Sequence, residues 1–441
     1  MNQSQPKIIV IDDDPTGSQT VHSCLLLMKW DIATLKQGLQ DNVPIFFILS
    51  NTRAMSRDLA AATTREICQN LKVAIADIGI KDFLVVSRSD STLRGHYPVE
   101  TDVIAEELGD FDGHFLTPAF FEGGRVTVDS THYLFIDGVK TPVANTEFAR
   151  DSVFGYSHSY LPDYVAEKTA GKIMAQDVVK LSLSDIRTGQ IERKLLQLTD
   201  NQCVVVDGET KEDFDLFARA VLTTAKTGKR FLFRSAASLL TSLAQLGEQP
   251  TSPEKMGTYK PTAQPGVVLV GSHVQKTTQQ LNRLLQEQDA IGIEVDVVRL
   301  RDRPQDRDTI LQETLNALQQ VFEEGQTPVV YTSRQELSFD DIQQRLQFGM
   351  EVSALLMDVV RGLPKSLGFL ISKGGITSND VLSVGLNLTA ARLLGQILPG
   401  CSVIRTESTH PQFPNLPVVL FPGNVGDRDS LMSAWSRLRF S

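Results

Sequence analysis

Short apolar segments recur along the chain, and stretches with helical periodicity separate them. Several of these segments are apolar at every position, as is typical of strands buried on both faces. The segment at residues 275–288 instead places Leu281, Leu284 and Leu285 on one side of a predicted helix. The alternation predicts an α/β fold of mainly parallel sheets flanked by helices. The clearest predicted strands cover residues 7–11, 44–49, 83–86, 203–206, 231–233, 267–270, 329–331, 369–371 and 418–421.

One segment interrupts this alternation. Residues 246–266 contain four of the chain's 19 prolines and show no apolar period. Proline at this density stiffens the backbone and removes hydrogen-bond donors, which suits a linker between domains. The sequence therefore predicts a domain over residues 1–245, a Pro-rich linker over 246–266 and a second domain over 267–441. Each domain is expected to have its own mainly parallel sheet flanked by helices.

The composition is that of an ordinary globular protein. Apolar residues make up 41% of the 441 residues and charged residues 22%. The 53 acidic residues outnumber the 43 lysines and arginines, which gives a formal charge of −10. Nucleic acids and anionic membranes are bound by basic surfaces, so neither is expected as the main partner. A local basic pocket for a small anion is compatible with this balance.

The cysteines and the first residues bear on the compartment. Cysteines stand at positions 24, 68, 203 and 401, without a C-x-x-C pair. This spacing fits neither a zinc site nor a disulfide framework. The chain starts without the apolar region of a signal peptide, and no apolar run approaches the ~18 residues of a membrane span. The sequence predicts a cytoplasmic protein with reduced thiols.

Three adjacent carboxylates follow the first predicted strand, at Asp12, Asp13 and Asp14. Because like charges repel, folding alone gains little from this cluster. It is expected where a cation such as Mg²⁺, or a proton to be abstracted, is nearby. The plain alternative is a solvated turn in which one aspartate caps the next helix.

The third predicted strand leads into residues 87–96, which read SRSDSTLRGH. The forks of Arg88 and Arg94 match a carboxylate or a phosphate, while Asp90 can accept hydrogen bonds from sugar hydroxyls. Together they suit a small polyhydroxy acid. The alternative is again structural, with Asp90 or Ser91 capping a helix and the arginines on the surface.

Residues 122–125 and 145–151 fall in a long stretch of weak periodicity. Loops of that length are uncommon unless they serve a site. His132 lies in the same stretch and is as compatible with a structural role as with a functional one.

In the second half, three predicted strands end in glycine together with serine, threonine or asparagine. They lead into residues 271–273 (GSH), 372–380 (SKGGITSND) and 422–426 (PGNVG). Glycine lets backbone N–H groups approach phosphates closely, although each motif alone is more typical of a turn. The ordinary P-loop motif is absent, since residues 271–277 have Lys-Thr without the preceding glycine.

These motifs resemble the four-carbon acid sugar kinases, two-domain enzymes that phosphorylate tetronate-type acids with ATP. The resemblance runs through nearly the whole chain in the family's order. In the first domain the resemblance is carried by three motifs: D-D-x-T-G at Asp13, Asp14, Thr16 and Gly17, D-S-T-x-R-G at Asp90, Ser91, Thr92, Arg94 and Gly95, and the stretch at 145–151. In the second domain it is carried by G-G-x-T at Gly374, Gly375 and Thr377 and by G-N-x-G at Gly423, Asn424 and Gly426.

The resemblance implies a sugar-binding first domain, a nucleotide-binding second domain, and ATP with Mg²⁺ as cofactors. It leaves the metal ligands unidentified. The candidate catalytic residues are Asp13, Asp14 and Asp90. The candidate substrate-binding residues are Thr16, Gly17, Arg88, Ser91, Thr92, Arg94, Gly124, Arg125 and Glu147. The candidate ATP-binding residues are Ser272, Gly374, Gly375, Ile376, Thr377, Gly423 and Asn424.

The chain departs from the family's pattern at three places. Residues 234–237 read RSAA where G-S-A-G is usual, so Arg234 brings a charge to a glycine position. Ile376 replaces an acidic residue of the G-G-[ED]-T motif. Phe421 and Pro422 replace Lys-Ser before the last glycine motif. These departures indicate a subgroup with altered substrate or phosphate contacts.

Two other functions fit parts of the sequence. Asp12, Asp14 and Thr16 match the D-x-D-x-T motif of a haloacid-dehalogenase-type phosphatase, although a later lysine and acidic pair are not evident before the linker. A regulator that binds a sugar acid without phosphoryl transfer would use the same pocket. The identity of the acid, the phosphorylated hydroxyl and self-association into a homo-oligomer are left open.

Overall fold

A computed structural model describes residues 5–439, apart from positions 16, 19, 137, 335, 336, 338 and 340. The chain divides into two compact units, residues 1–248 and 249–441. Each unit contains its own strands and helices and has an α/β fold. Thr16, a candidate substrate-binding residue, lies outside the described residues.

The main sheet of the first unit is parallel, and its strands are buried on both faces. Its order is β2-β3-β1-β4-β11-β5-β10-β9, and the remaining strands form an antiparallel sheet in the order β6-β7-β8. The strands are β1 (Lys7–Asp12), β2 (Leu25–Leu27), β3 (Ile45–Leu49), β4 (Phe83–Arg88), β5 (Gly113–Thr117), β6 (Arg125–Val128), β7 (Thr131–Ile136), β8 (Val139–Pro142), β9 (Val179–Leu181), β10 (Gln202–Val206) and β11 (Phe231–Ser235).

Local signals in the sequence set the ends of the helices in this unit. Ser56 caps α2 at its start, where its hydroxyl accepts the Leu59 N–H, and Gly79 ends the helix in the left-handed conformation at φ 77°. The helices are α1 (Ile32–Gln40), α2 (Arg57–Ile78), α3 (Val99–Leu108), α4 (Leu161–Lys168), α5 (Leu183–Arg187), α6 (Ile191–Gln197), α7 (Lys211–Ala225) and α8 (Ser238–Ala244).

The second unit has a mixed sheet in the order β13-β14-β12-β15-β18-β17-β16, in which β16, β17 and β18 pair antiparallel and the other neighbours pair parallel. The strands are β12 (Val267–Val270), β13 (Ala290–Val295), β14 (Thr327–Thr332), β15 (Leu370–Lys373), β16 (Ala390–Leu398), β17 (Cys401–Thr406) and β18 (Pro417–Phe421). The helices are α9 (Gln275–Leu284), α10 (Val297–Asp302), α11 (Arg307–Glu323), α12 (Ile342–Arg361), α13 (Gly375–Asp380) and α14 (Ser430–Arg439).

The predicted α/β class is confirmed, and each of the apolar segments forms a strand. The helix predicted over residues 275–288 is shorter than expected, because α9 ends at Leu284 and the chain turns there. The prediction of a long loop around residues 122–151 is wrong. This stretch contains β6, β7 and β8, whose partial burial leaves little apolar periodicity to detect.

The Pro-rich segment is partly folded onto the second unit. Its residues Pro253–Tyr259 form a 3₁₀ helix, and Met256 is fully buried in the core of that unit. Gln249 accepts the Gln396 N–H from β16 at 2.8 Å. The prolines therefore fix a chain segment against a surface instead of leaving it free.

The four cysteines are buried, and none of them is paired with another. None of the helices in the described part of the chain combines the length and the apolar character that a membrane crossing requires.

Candidate functional site

The candidate site of the first unit lies at the carboxyl ends of β1, β3 and β4. In the parallel register Asp12 pairs with Leu49 on one side and with Arg88 on the other. The chain passes from β3 to β4 across β1, so this is the point where the strand order reverses. Ligands of open α/β sheets bind at such switch points.

Guanidinium groups neutralise the carboxylates that follow β1. Arg53 donates to both oxygens of Asp13, from Nη2 to Oδ1 at 2.5 Å and from Nε to Oδ2 at 3.2 Å. Its Nη1 reaches Asp14 Oδ2 at 2.6 Å. Arg88 Nη1 lies 3.4 Å from Asp12 Oδ1. The acidic cluster is thus held together by cations from β4 and from the turn after β3.

Burial changes the proton affinity of two of these carboxylates. It raises the pKa of Asp12 to about 7, because the nearby charge of Arg88 only partly compensates for the lost hydration. Burial likewise raises the pKa of Asp13, against the opposing charge of Arg53. Both side chains therefore bind a proton more readily than an exposed aspartate does.

The segment after β4 folds back onto this cluster. Ser89 Oγ donates to Asp13 Oδ2 at 2.7 Å and also contacts the Arg94 carbonyl at 3.0 Å. Gly95 has φ 127°, and a Cβ there would lie 2.5 Å from Ser89 Oγ and 3.1 Å from Asp13 Oδ2. Only glycine fits this position, because both the backbone angle and the space exclude a side chain.

Asp90 anchors the second half of the same segment. It accepts hydrogen bonds from Arg94 Nε at 2.7 Å and from the Thr92 hydroxyl. Burial alone would raise the pKa of Asp90, but the charges of Arg53 and Arg94 outweigh it and hold the pKa well below its usual value. Asp90 therefore stays ionised at neutral pH, and its carboxylate orients Arg94.

Arg234, the residue that departs from the family's glycine, is buried beside this segment. Its Nη1 donates to Glu100 Oε2 at 2.6 Å and to Ser87 Oγ at 2.7 Å. Glu100 also accepts from Thr52 Oγ1 at 2.5 Å. Burial would raise the pKa of Glu100, but Arg234 and the Thr52 hydroxyl hold it below its usual value. Arg234 Nη2 has no hydrogen-bond partner among the described residues and points toward Gly95.

A small cavity lies next to these groups. One part of its wall is polar and cationic, and the rest is aromatic or aliphatic. It is lined by Ser89, Asp90, Leu93, Arg94, Tyr97, Leu116, Pro118, Tyr164, Arg234, Ser235 and Ala236. A cavity with convergent polar groups in an apolar frame is typical of a small-molecule site.

Unpartnered buried atoms concentrate in this region. Buried polar atoms without partners are rare in proteins, and each one calls for an explanation such as a ligand or ordered water. Of the seven such side-chain atoms in the described part of the chain, four belong to this region: Asp12 Oδ2, Ser18 Oγ, Arg88 Nε and Arg125 Nε. The first unit therefore offers a polar site that its own residues do not satisfy.

Three further candidate substrate-binding residues come from the segment before and in β6 and from the turn at residues 147–150. Arg125 begins β6 and its Nη1 donates to the Gly123 carbonyl at 2.8 Å, while Gly124 turns the chain at φ 69°. Phe148 lies under the Arg94 guanidinium, 4.9 Å from it, but its neighbour Glu147 is exposed. His132 is fully buried between the Thr127 hydroxyl and the Ser91 carbonyl, so its role is structural.

Three of the remaining candidates belong to the motifs already described. Gly17 lies directly against Asp12, where a Cβ would come 2.2 Å from the carboxylate oxygens. Ser91 and Thr92 are buried, and their carbonyls accept from His132 and from the Tyr156 hydroxyl.

In the second unit, β12, β15 and β18 are neighbours, and the three glycine motifs that follow them meet. A Cβ on Gly374 would lie 3.1 Å from Ser272 Cβ, and one on Gly423 would lie 3.3 Å from Ser272 Oγ. Thr277 Oγ1 donates to the Gly423 carbonyl at 3.1 Å. The candidate ATP-binding residues of all three motifs therefore form one cluster, with Ile376 and Asn424 exposed at its edge.

Sequence reasoning missed three charged residues of these sites, Arg53, Glu100 and Lys373. Arg53 and Glu100 come from a turn and a helix that carry no recognisable motif. Lys373 precedes Gly374, is fully buried, and lies in register with Phe421, one of the departures from the family pattern. A lysine ending an otherwise apolar strand was the one available signal.

The acidic cluster is a poor fit for a metal ion. Arg53 and Arg88 take up much of the acceptor capacity of the three aspartates. The described residues contain no group of three or more His, Cys, Asp or Glu side chains placed to hold a metal.

Comparison with known families identifies both halves of the chain. Residues 8–243 match the sugar-binding N-terminal domain, and residues 267–431 match the nucleotide-binding C-terminal domain. This pair of domains defines a class of two-domain proteins with one site for a sugar and one for a nucleotide. The chain belongs to the four-carbon acid sugar kinase family, which has this architecture.

Individual relatives agree with this assignment. The chain is 27% identical over 220 residues to the D-erythronate kinase of Heliobacterium modesticaldum (strain ATCC 51547 / Ice1). That match spans 48% of this chain and 47% of the relative, so about half of each protein is compared.

Two solved structures share the fold over nearly the whole length. One is a Salmonella typhimurium LT2 protein provisionally named a tRNA synthase, with a TM-score of 0.71, 19% identity, and coverage of 97% of this chain and 98% of that one. The other is Haemophilus influenzae protein HI1011, of the family DUF1537, with a TM-score of 0.66, 17% identity, and coverage of 98% and 100%.

Proposed function

We propose that this protein is an ATP-dependent kinase that phosphorylates a hydroxyl of a small sugar acid of the four-carbon type, a tetronate or 3-oxo-tetronate. The observation that carries the proposal is the set of unsatisfied donors and acceptors in the first unit, within the family's sugar-binding domain. The relative named D-erythronate kinase supports the same substrate class.

The charge balance of the site favours an anionic substrate. Burial makes Asp12 tend to keep a proton near pH 7, which leaves the surrounding guanidinium groups in excess of the ionised carboxylates. A substrate carboxylate would neutralise this excess positive charge. Its interaction with a guanidinium group is strong where the two form a bidentate pair in a partly desolvated pocket. The guanidinium groups concerned belong to Arg53, Arg88, Arg94, Arg125 and Arg234.

Arg94 is the proposed reader of the substrate carboxylate. Asp90 binds its Nε and the Phe148 ring packs against its flat face, so the guanidinium is held in place while lining the cavity. Arg88 is the second candidate, but its side chain is only 7% exposed and lies against Asp12 and Asp13.

Asp13 is the proposed general base. Phosphoryl transfer depends mainly on positioning and charge stabilisation, and one group accepts the proton of the attacking hydroxyl. Asp13 Oδ2 accepts a hydrogen bond from Ser89, which lines the cavity, and the raised pKa of Asp13 makes its ionised form a better proton acceptor. Asp90 is less suited, because its carboxylate is stabilised by Arg94. Asp14, held by Arg53, is proposed to orient the site.

The cluster of Ser272, Gly374, Gly375, Thr377, Gly423 and Asn424 is the proposed nucleotide site. Backbone N–H groups at such turns bind phosphate oxygens. Mg²⁺ is expected to arrive with the phosphates of ATP, where the substrate supplies most of its ligands. A cytoplasmic location and self-association remain predictions from the sequence.

The decisive experiment is an ADP-release screen of the full chain against tetronates, 3-oxo-tetronates and longer aldonates. ATP turnover that requires an added acid supports the proposal. Phosphate release from a phosphorylated acid without nucleotide would favour the phosphatase, and binding of an acid without either reaction would favour the regulator.

The same assay tests the base. Asp13→Asn should lower kcat by about 10²–10⁴, the usual contribution of general-base catalysis. Asp14→Asn is the comparison variant: it removes a neighbouring carboxylate bound by the same arginine and should lower kcat less than Asp13→Asn does. Near-normal kcat for Asn at positions 13, 14 and 90 would contradict a carboxylate mechanism.

A further inference from the structure

Lys373 is a buried cation without a carboxylate partner in the part of the chain that the structure describes. It ends β15, and its side chain is fully buried although lysine is almost never found so. Its Nζ donates to the carbonyls of Pro422 at 2.5 Å and Gly423 at 3.1 Å. It also lies 4.2 Å from the centre of the Phe421 ring. Burying this charge is costly, so a specific role is indicated.

The two carbonyls fix the direction of two N–H groups. In a trans peptide the C=O and the following N–H point in opposite directions. Because Lys373 draws the Pro422 and Gly423 carbonyls inward, the N–H groups of Gly423 and Asn424 point away from it. Neither N–H donates a hydrogen bond within the described residues. Successive N–H groups of a turn that face the same side form an anion-binding concavity.

This turn lies beside the rest of the glycine cluster. Ser272 Oγ lies next to Gly423, and Thr277 Oγ1 also donates to the Gly423 carbonyl, at 3.1 Å. Asn424 is exposed. The turn is therefore held from within by Lys373 and from the side by Thr277, and it lies against the Ser272 motif.

We propose that Lys373 is a positioning residue for nucleotide binding: it holds the turn at residues 422–424 so that the Gly423 and Asn424 N–H groups bind a phosphate oxygen. The inference rests on the proposed function and deepens it. Lys373 itself, being buried, does not contact the nucleotide. A neutral side chain of similar length would leave both carbonyls unpaired and the turn free to rotate.

The proton affinity of Lys373 gives this role a distinctive signature. Burial lowers the pKa of Lys373 to about 7, and the charge of Lys276 on α9 acts in the same direction, while the Cys401 thiol on β17 opposes it. A phosphate bound on the other side of the turn at residues 422–424 would stabilise the protonated, positively charged form of Lys373. Nucleotide binding near pH 7 should therefore be coupled to proton uptake by Lys373.

The test is calorimetry of the full-length protein with Mg·ADP at pH 7, in two buffers of different ionisation enthalpy. Lys373→Met should raise the Kd about 10- to 100-fold, the usual effect of losing a charged hydrogen bond. It should also abolish the proton uptake seen with the wild type. Lys365→Met, the same change at an exposed lysine of the second unit, should alter neither quantity.

The outcomes separate the two proposals. If the wild type does not bind ADP, the proposed function and this inference both fail. If a folded Lys373→Met variant binds ADP with the wild-type Kd and proton uptake, only the role of Lys373 is overturned. If Lys373→Met does not fold, Thr277→Val removes the other donor to the Gly423 carbonyl. A higher Kd for Thr277→Val then supports the held turn, and an unchanged Kd overturns it.

Discussion

Arg234 and Glu100 form a buried ion pair, with Nη1 and Oε2 2.6 Å apart and side chains 9% and 3% exposed. Arg234 comes from β11 and Glu100 from the first turn of α3, so the pair joins residues that lie 134 positions apart in the chain. Thr52 and Ser87 complete its hydrogen bonds. An ion pair satisfied in this way fixes the wall of the cavity, and it leaves Arg234 Nη2 available to a ligand.

Breaking this pair from one side should be more damaging than removing it. Glu100→Gln removes the carboxylate to which the buried Arg234 guanidinium donates and should destabilise the first unit by about 3–5 kcal/mol. The double variant Glu100→Gln, Arg234→Met should lose less than the sum of the two single variants. Urea unfolding in a Trp435→Phe background measures this, because Trp30 is then the one tryptophan. Additive losses would contradict the coupling.

The raised pKa of Asp12 predicts a pH-dependent stability. The folded state holds a proton that the unfolded chain releases above about pH 4, so this group's contribution falls as pH rises toward 7. Asp12→Asn removes that loss. The free energy of unfolding of Asp12→Asn relative to that of the wild type should rise between pH 5 and 7, by at most about 1.4 kcal/mol per pH unit. Above pH 7 this difference should level off. Urea unfolding at several pH values checks the slope.

Asp90→Asn provides the control for this pH series. The pKa of Asp90 is lowered, so its stabilising contribution is present above the ordinary pKa and is lost only as pH falls through the lowered value. The variant should be less stable than the wild type by a constant amount between pH 5 and 8. A parallel pH dependence in both variants would show that the slope does not arise from Asp12.

Arg94→Lys should separate recognition of the acid from binding of ATP. Lysine keeps the charge but loses the planar fork and the stacking on Phe148, so KM for the acid should rise while KM for ATP stays unchanged. Arg94→Ala should lower kcat/KM by roughly 30- to several-thousand-fold, the equivalent of about 2–5 kcal/mol. If Arg94→Ala prefers the acid over its uncharged polyol by the wild-type ratio, Arg94 does not read the carboxylate.

The adjacent glycines of the second unit should respond differently to alanine. A Cβ on Gly375 meets no protein atom within 4 Å, so Gly375→Ala should fold normally. The added methyl group would occupy the space that a phosphate needs at the proposed nucleotide site, so nucleotide binding should weaken at least about tenfold. Gly374→Ala should lose stability as well, because its φ is 126° and its Cβ would lie 3.0 Å from Thr377 Oγ1.

Calorimetry with Mg·ADP and thermal unfolding measure both variants. Gly349→Ala, at an open position inside α12, is the control: it should leave ADP affinity unchanged and raise the thermal stability slightly, because alanine favours a helix over glycine by up to about 1 kcal/mol. Unchanged affinity in Gly375→Ala would place the phosphates elsewhere.

The sequence predicted the central strands because they are apolar at every position. It missed β5, which reads GHFLT, because glycine and histidine interrupt its apolar pattern. It also missed the long antiparallel pair β16 and β17, whose arginines and glutamine obscure the alternation. These segments form strands because their backbone groups make hydrogen bonds with neighbouring strands. That pairing is a property of the folded sheet and cannot be read from the local sequence.

The same distinction applies to the sites. The sequence alone determined the α/β class, the family and the motifs at the strand ends, because strand burial and glycine-rich turns leave local patterns. Tertiary structure alone decided which charges meet: Arg53 with Asp13, Glu100 with Arg234, and Lys373 with the carbonyls of the last glycine turn. The interaction of two charges depends on distance and burial, and both are set only when distant segments pack together.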